Sequence, residues 1–243
     1  MNDLLTFKEY LREATLPDEL SKDIFYHGTS ISNVDDIFIS GLKGREDQTK
    51  HYLAPIKNQV YMTKDFKLTM VYAAGASVLG SNWIPNDIET NPFGYIFVIN
   101  NKDLKNKKVL PDEDFVGELI GDIFYNQNYY DQYKDKLYWL INLAKSKLTD
   151  NEIYKVRHGE YVYFAKVGKK LIKYMSDEQI LQLLPYMKAI SVSAPVKIKG
   201  CYVFDRKNIS KLTGDLKKDK KYLTYVKNIQ ELKNFMDNNI NIT

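Results

Sequence analysis

Cysteine occurs once in the 243 residues, at Cys201, so no disulfide closes within the chain. With that single thiol and three histidines, no zinc-site spacing exists and no metal is expected. No apolar run approaches the roughly 20 residues of a membrane-spanning helix. The start Met1-Asn-Asp-Leu-Leu-Thr-Phe-Lys8 lacks the basic-then-apolar build of a signal peptide. A reducing, cytoplasmic setting away from membranes is the expectation. Also missing are Gly-x-Gly-x-x-Gly and the Walker loop, so Rossmann and P-loop nucleotide binding have no support. Excess charge of one sign is small: 35 Lys and Arg stand against 31 Asp and Glu, a formal net charge of +4. That permits a nucleic-acid partner without demanding one.

The hydrophobic fraction, 44%, is ordinary for a globular chain long enough to bury a real core. Lysines cluster at 217–221 and at Lys102, Lys105, Lys107 and Lys108, which reads first as solvated surface. Thr6 to Glu13 has the spacing of a short amphipathic helix, and Pro17 interrupts it. Asp23-Ile-Phe-Tyr-His27 reads as a strand running into Gly28. Ser30 or Ser32 caps the next helix, which carries Val34, Ile37 and Phe38 and stops at Gly41. After an irregular stretch over 43–58, Gln59-Val-Tyr-Met-Thr63 is a second strand. Thr63 or Asp65 caps a helix with Leu68, Tyr72 and Ala76 on one face.

A further loop over 77–93 leads to Gly94-Tyr-Ile-Phe-Val-Ile-Asn100, apolar throughout and so a central strand. Pro111-Asp-Glu-Asp114 opens a helical stretch, with helices expected over 113–126 and 131–148. Residues 160–175 fit a helix better than a strand, because Ser176-Asp-Glu-Gln179 then opens another helix through Leu184. Pro195 to Phe204 reads as a late strand pair or a bulged strand broken at Gly200, and 222–238 as a closing amphipathic helix. The expected fold is α+β, a split mixed β-sheet core in one domain over 1–243. Its parts are a core at about 24–100, a helical insert at about 111–188, and late strands with a C-terminal helix over 190–243.

Chemistry concentrates early in the chain. An imidazole at the end of a strand, His27, is placed to hydrogen-bond a ligand hydroxyl. Gly28 beside it removes the side chain that would keep a flat ring off the backbone, although a lone histidine satisfying a turn is the commoner case. Tyr61 and Tyr72 stand eleven residues apart, and Thr69 lies one turn before Tyr72. Two rings with a hydroxyl at their edge suit a planar, carboxamide-bearing ring. In a chain with 19 tyrosines, both equally suit a core.

His27-Gly28-Thr29, then Ile37-Phe-Ile-Ser-Gly-Leu-Lys43, then Val60-Tyr-Met-Thr63 and Thr69-Met-Val-Tyr72, resembles the NAD-binding half of the poly(ADP-ribose) polymerase-like ADP-ribosyltransferases. The resemblance covers residues 24–100, with a weaker echo at 195–212. It implies NAD⁺ as co-substrate and no metal. Gly28 would bond the nicotinamide amide through its backbone, and His27 with Thr29 would hold the adenosine ribose. Lys43 would lie near the pyrophosphate. Tyr61 and Tyr72 would wall the nicotinamide slot, and Thr69 would bond the amide oxygen.

One part of the family pattern is missing. Its glutamate opens a late strand, which here falls near Ser193-Ala-Pro195, where no glutamate stands. Glu118, Glu113 and Glu160 are the replacements to weigh, and Glu118 is the one preferred. The resemblance implies transfer of a single ADP-ribose to a macromolecular acceptor, nucleic acid or protein. It implies a bacterial or phage effector, toxin or defence enzyme, partnered by an antitoxin or inhibitor protein. Two alternatives stay open: an NAD-dependent RNA 2′-phosphotransferase, poorly served by the scarcity of histidine and arginine, and an inactive NAD or ADP-ribose binding module.

Overall fold

A run of apolar residues without polar alternation has to be covered on both faces if it is a strand, and Phe93–Ile99 meets that condition. In the computed structural model, which describes residues 24–30, 34–44, 58–75, 79, 87–99, 101–105 and 107–240, all seven of its residues are buried. Numbered along the chain, the strands are β1 Tyr26–Thr29, β2 Gln59–Thr63, β3 Phe93–Ile99, β4 Val109–Pro111, β5 Ala189–Ser193, β6 Ile198–Asp205 and β7 Thr224–Val226. The class is α+β, and every strand pairing described is antiparallel. This corrects the mixed sheet expected above. Connections long enough for a crossover permit parallel pairing but do not require it, and periodicity carries no strand direction.

The described residues fall into two compact units. One is strand-rich and holds 24–44, 60–104 and 194–240; the other is helical and holds 58–59 and 105–193. The stretch read from the sequence as an insert thus belongs to a compact unit.

In the strand-rich unit the order is β2-β1-β3-β6-β7. Tyr26 stands opposite Val98, Gly28 opposite Ile96, and Gly94 opposite Phe204. Alternation therefore puts Tyr26, Ile96, Val98 and Phe204 on one face. The helix Phe66–Ala74 closes that face with Met70, Ala73 and Ala74. His27, Tyr95, Phe97 and Cys201 share the opposite face, where Phe38 of the helix Val34–Ser40 meets Phe97 edge-on at 6.1 Å. Arg206 is 1% exposed and holds three segments of this unit. It donates from Nε to the Ala74 carbonyl at 2.9 Å, from Nη1 to the Asn91 carbonyl at 2.6 Å, and from Nη2 to Asp87 Oδ1 at 2.9 Å.

In the helical unit β4 pairs with β5, and the helices are Glu113–Tyr125, Gln127–Tyr133, Tyr138–Lys147, Asp150–Arg157, Tyr161–Ile172 and Asp177–Leu183. A Cβ at Gly117 would overlap the Phe164 backbone and one at Gly168 the Glu113 backbone. The helices Glu113–Tyr125 and Tyr161–Ile172 therefore touch main chain to main chain.

Several sequence expectations are met and several are corrected. Residues 161–172 are helical, and Ser176 forms a capping box with Gln179. The helix expected over 131–148 is interrupted before Tyr138, because Leu137 leaves helical dihedrals (φ −123°, ψ 29°) while its side chain is fully buried. β6 is the bulged strand, one of the two expectations, and Gly200 does not end it: Gly200 pairs with Val98 while Ile99 pairs with Ile198, and the Tyr225 ring occupies the space a side chain would need. The tail read as one helix holds β7 and the shorter helix Ile229–Ile240. The helix at Thr6 to Glu13, the Ser32 cap and most of the two early loops lie outside the described residues.

Candidate functional site

β1 and β2 meet at the Tyr26–Thr63 pair. His27 bridges the two strands next to it, its Nδ1 lying 2.7 Å from the Tyr61 carbonyl oxygen. A carbonyl only accepts, so Nδ1 carries the proton, and in the neutral ring Nε2 is the acceptor nitrogen. Both residues are partly buried and lie inside their strands rather than at the ends, since β1 runs on to Thr29 and β2 to Thr63. The end of β1 expected from sequence was two residues short, because Gly28 and Thr29 continue the ladder opposite Ile96 and Tyr95, whereas β2 has the bounds expected.

Gly28 is required by packing. A Cβ there would overlap the Thr69 carbonyl oxygen and lie 3.0 Å from Ala73 N. The helix Phe66–Ala74 therefore rests directly on β1. Thr69 is fully buried in that contact, and its hydroxyl donates to the Asp65 carbonyl at 2.9 Å while its oxygen keeps acceptor capacity. Asp65 caps the same helix by accepting from Leu68 N at 3.1 Å. Tyr72 lies one turn on and is 58% exposed, so it is not a core ring. Thr29 is buried.

Lys43 is exposed, and its backbone position is set locally. Gly41 ends the helix Val34–Ser40 at φ +81°, its N–H donating to the Ile37 carbonyl at 2.9 Å. Leu42 then exchanges two hydrogen bonds with Val196, at 2.8 and 2.9 Å. Lys43 is thereby held at the sheet-side end of that helix.

His27, Gly28, Thr29, Lys43, Tyr61, Thr69 and Tyr72 all belong to the strand-rich unit. The carboxylates weighed for catalysis belong to the helical one. Glu118 sits in the helix Glu113–Tyr125 and accepts from Lys188 Nζ at 3.4 Å. Glu113 is buried at the first turn of that helix. Glu160 lies in the N-cap position before Tyr161–Ile172, not within a helix as its sequence context suggested, and pairs with Lys155 at 2.6 Å. Ser193-Ala-Pro195 bridges the end of β5 and the start of β6 and opens neither strand. Among the described residues no group of three His, Cys, Asp or Glu is arranged to hold a metal ion.

Sequence reasoning missed Asp112 and Arg206. Asp112 caps the helix Glu113–Tyr125 by accepting from Asp114 N at 2.9 Å. Burial, with the adjacent Glu113 and Asp114 charges, pushes its carboxyl up to about 8. Burial, with the Glu113 and Glu118 charges and against Lys169, pushes Asp114 up to about 6. The acidic run was legible as a helix start, but its burial was not. No protein-family model, curated protein or solved structure matches the chain.

Proposed function

We propose that the protein is an NAD⁺-dependent mono-ADP-ribosyltransferase, with the cofactor held by His27, Gly28, Thr29, Lys43, Tyr61, Thr69 and Tyr72. The observation that carries this reading is the 2.7 Å bond from His27 Nδ1 to the Tyr61 carbonyl. It couples the two residues that a nicotinamide dinucleotide site needs on adjacent strands, and it fixes the imidazole tautomer so that Nε2 can accept from a ribose hydroxyl. Tyr72, exposed on the helix that rests on Gly28, supports the reading as a stacking ring.

In the reaction the bond between nicotinamide nitrogen and ribose C1′ breaks, and its electron pair leaves with neutral nicotinamide. The acceptor's nucleophile then bonds C1′ and loses its proton to solvent. The barrier is the oxocarbenium-like state between these events, which a clamped amide and a nearby carboxylate stabilise. The sequence offers Glu118 for that role, and the Glu118→Gln variant tests it.

The test is nicotinamide release, with transfer of label from NAD⁺ in a cell extract treated separately with protease, DNase and RNase. Wild type is expected to release nicotinamide, and His27→Ala and Tyr61→Ala each to lower the rate by about a hundredfold or more. Saturable NAD⁺ binding without nicotinamide release would make the protein a binding module instead. Full activity in Glu118→Gln would remove Glu118 from the mechanism.

A further inference from the structure

Charge is divided sharply within the helical unit. Residues 111–135 carry seven Asp or Glu and one Lys, a formal charge of −6. Residues 136–173 carry nine Lys or Arg and three Asp or Glu, a formal charge of +6. The overall balance of the chain hides this division.

The basic stretch covers the helices Tyr138–Lys147, Asp150–Arg157 and Tyr161–Ile172. Its lysines are interleaved with tyrosines that the core does not take. Tyr161 is 77% exposed, Tyr138 62% and Tyr154 55%. Lys155 and Lys166 both lie over the Tyr163 ring, at 5.7 and 5.1 Å, and Lys147 lies over Tyr174 at 4.6 Å. The Tyr154 and His158 rings lie 4.1 Å apart, tilted by 31°. Two of the three acids are already engaged: Glu152 by Lys170 at 2.8 Å and Glu160 by Lys155. Arg157, Lys145, Lys147, Lys166 and Lys173 stay exposed and carry the excess.

We propose that these three helices form a binding surface for single-stranded nucleic acid. Exposed aromatic rings offer each unstacked base a platform, and the lysines between them follow the phosphates. An acidic peptide would use the lysines and leave the tyrosines idle, and a duplex keeps its bases stacked internally, so the single strand is the ligand that uses both features. The proposal deepens the transferase reading by making nucleic acid the acceptor class, and only that last step rests on the reading.

Fluorescence anisotropy of the full chain tests it without NAD⁺. The probes are a labelled single-stranded oligonucleotide of mixed sequence, as DNA and as RNA, the same sequence as duplex, and polyglutamate. One or both single strands are expected to bind more tightly than the duplex, with affinity falling as salt rises. Tyr154→Ala combined with Tyr161→Ala should weaken binding about tenfold or more at an unchanged salt slope. Tyr161→Phe should bind as wild type does. Lys166→Gln with Lys173→Gln should lower the salt slope by about one to two. All these positions are exposed, and a thermal melt confirms that each variant is folded.

The proposal is overturned if neither single strand binds at low salt, if duplex binds as tightly, if polyglutamate competes on equal terms, or if the tyrosine variant binds like wild type. Single-strand binding in a protein that releases no nicotinamide would leave the surface standing and remove the transferase reading.

Discussion

His27 and Gly28 are adjacent, yet alternation along β1 sends them to opposite faces of the sheet. Gly28 faces the helix Phe66–Ala74, and His27 turns its ring to the Tyr61 carbonyl. His-Gly-Thr therefore encodes a packing requirement and a hydrogen-bonding group in successive residues, and only the second was legible in the sequence. Asp112 carries a second residue-scale consequence. Its carboxyl is raised from the ordinary 3.8 to about 8 when folded, so the native state holds a proton that the unfolded chain has lost between those values. Stability from this group is full below about pH 4 and falls as pH rises towards 8. Asp114 adds to the slope in the same direction up to about pH 6. Half-buried Lys108, lowered from 10.5 to about 8 by desolvation, contributes the opposite slope above pH 8. Asp112→Asn keeps an acceptor for Asp114 N and removes the ionisation. Its melting temperature is expected to exceed wild type at pH 8 and to approach it at pH 5. An equal pH slope in the two proteins would show that Asp112 is not the source.

The helix Phe66–Ala74 shows how far an element can be read in advance. Its Asp65 cap and its place after β2 followed from residue type and order. Its docking did not, because Arg206, which accepts no place in any periodic pattern, binds the Ala74 carbonyl from 132 residues away. Arg206→Leu would leave the Ala74 and Asn91 carbonyls without this partner in a buried setting. A loss of about 2–4 kcal/mol is expected, measured by denaturant titration. The ion pair to Asp87 contributes less, since that carboxylate is exposed to water. A midpoint unchanged from wild type would show that the three bonds are replaceable by solvent. Strands β4 and β7, three residues each, were missed for a related reason. Segments that short are specified by their partners' open edges and not by their own alternation.

At the scale of the molecule, the two proposed ligands fall on different units, and hydrogen exchange can separate them. NAD⁺ is expected to protect amides in β1, β2 and the helix Phe66–Ala74. Single-stranded nucleic acid is expected to protect the helices from Tyr138 to Ile172. Protection by both ligands confined to the same helices would contradict the assignment. Among the described residues no helix is long and apolar enough to cross a membrane. The split charge of the helical unit would otherwise pass unnoticed, because a net charge of +4 averages it away.

By itself the sequence determined the α+β class, the order of the long elements, the buried central strand Phe93–Ile99, and the residues on which an NAD⁺ reading rests. These are properties of local spacing and residue type, which the chain carries before it folds. Only the tertiary structure decided strand direction, the short pairing strands, the burial of Asp112 and Arg206, and the bond that joins His27 to Tyr61 across 34 residues. Each of those depends on which distant backbone groups and charges come within a few ångströms, and no local pattern records that distance. The residues of the proposed NAD⁺ site were therefore legible early. The surface proposed for nucleic acid became legible once exposure separated the tyrosines of the core from those at Tyr138, Tyr154 and Tyr161.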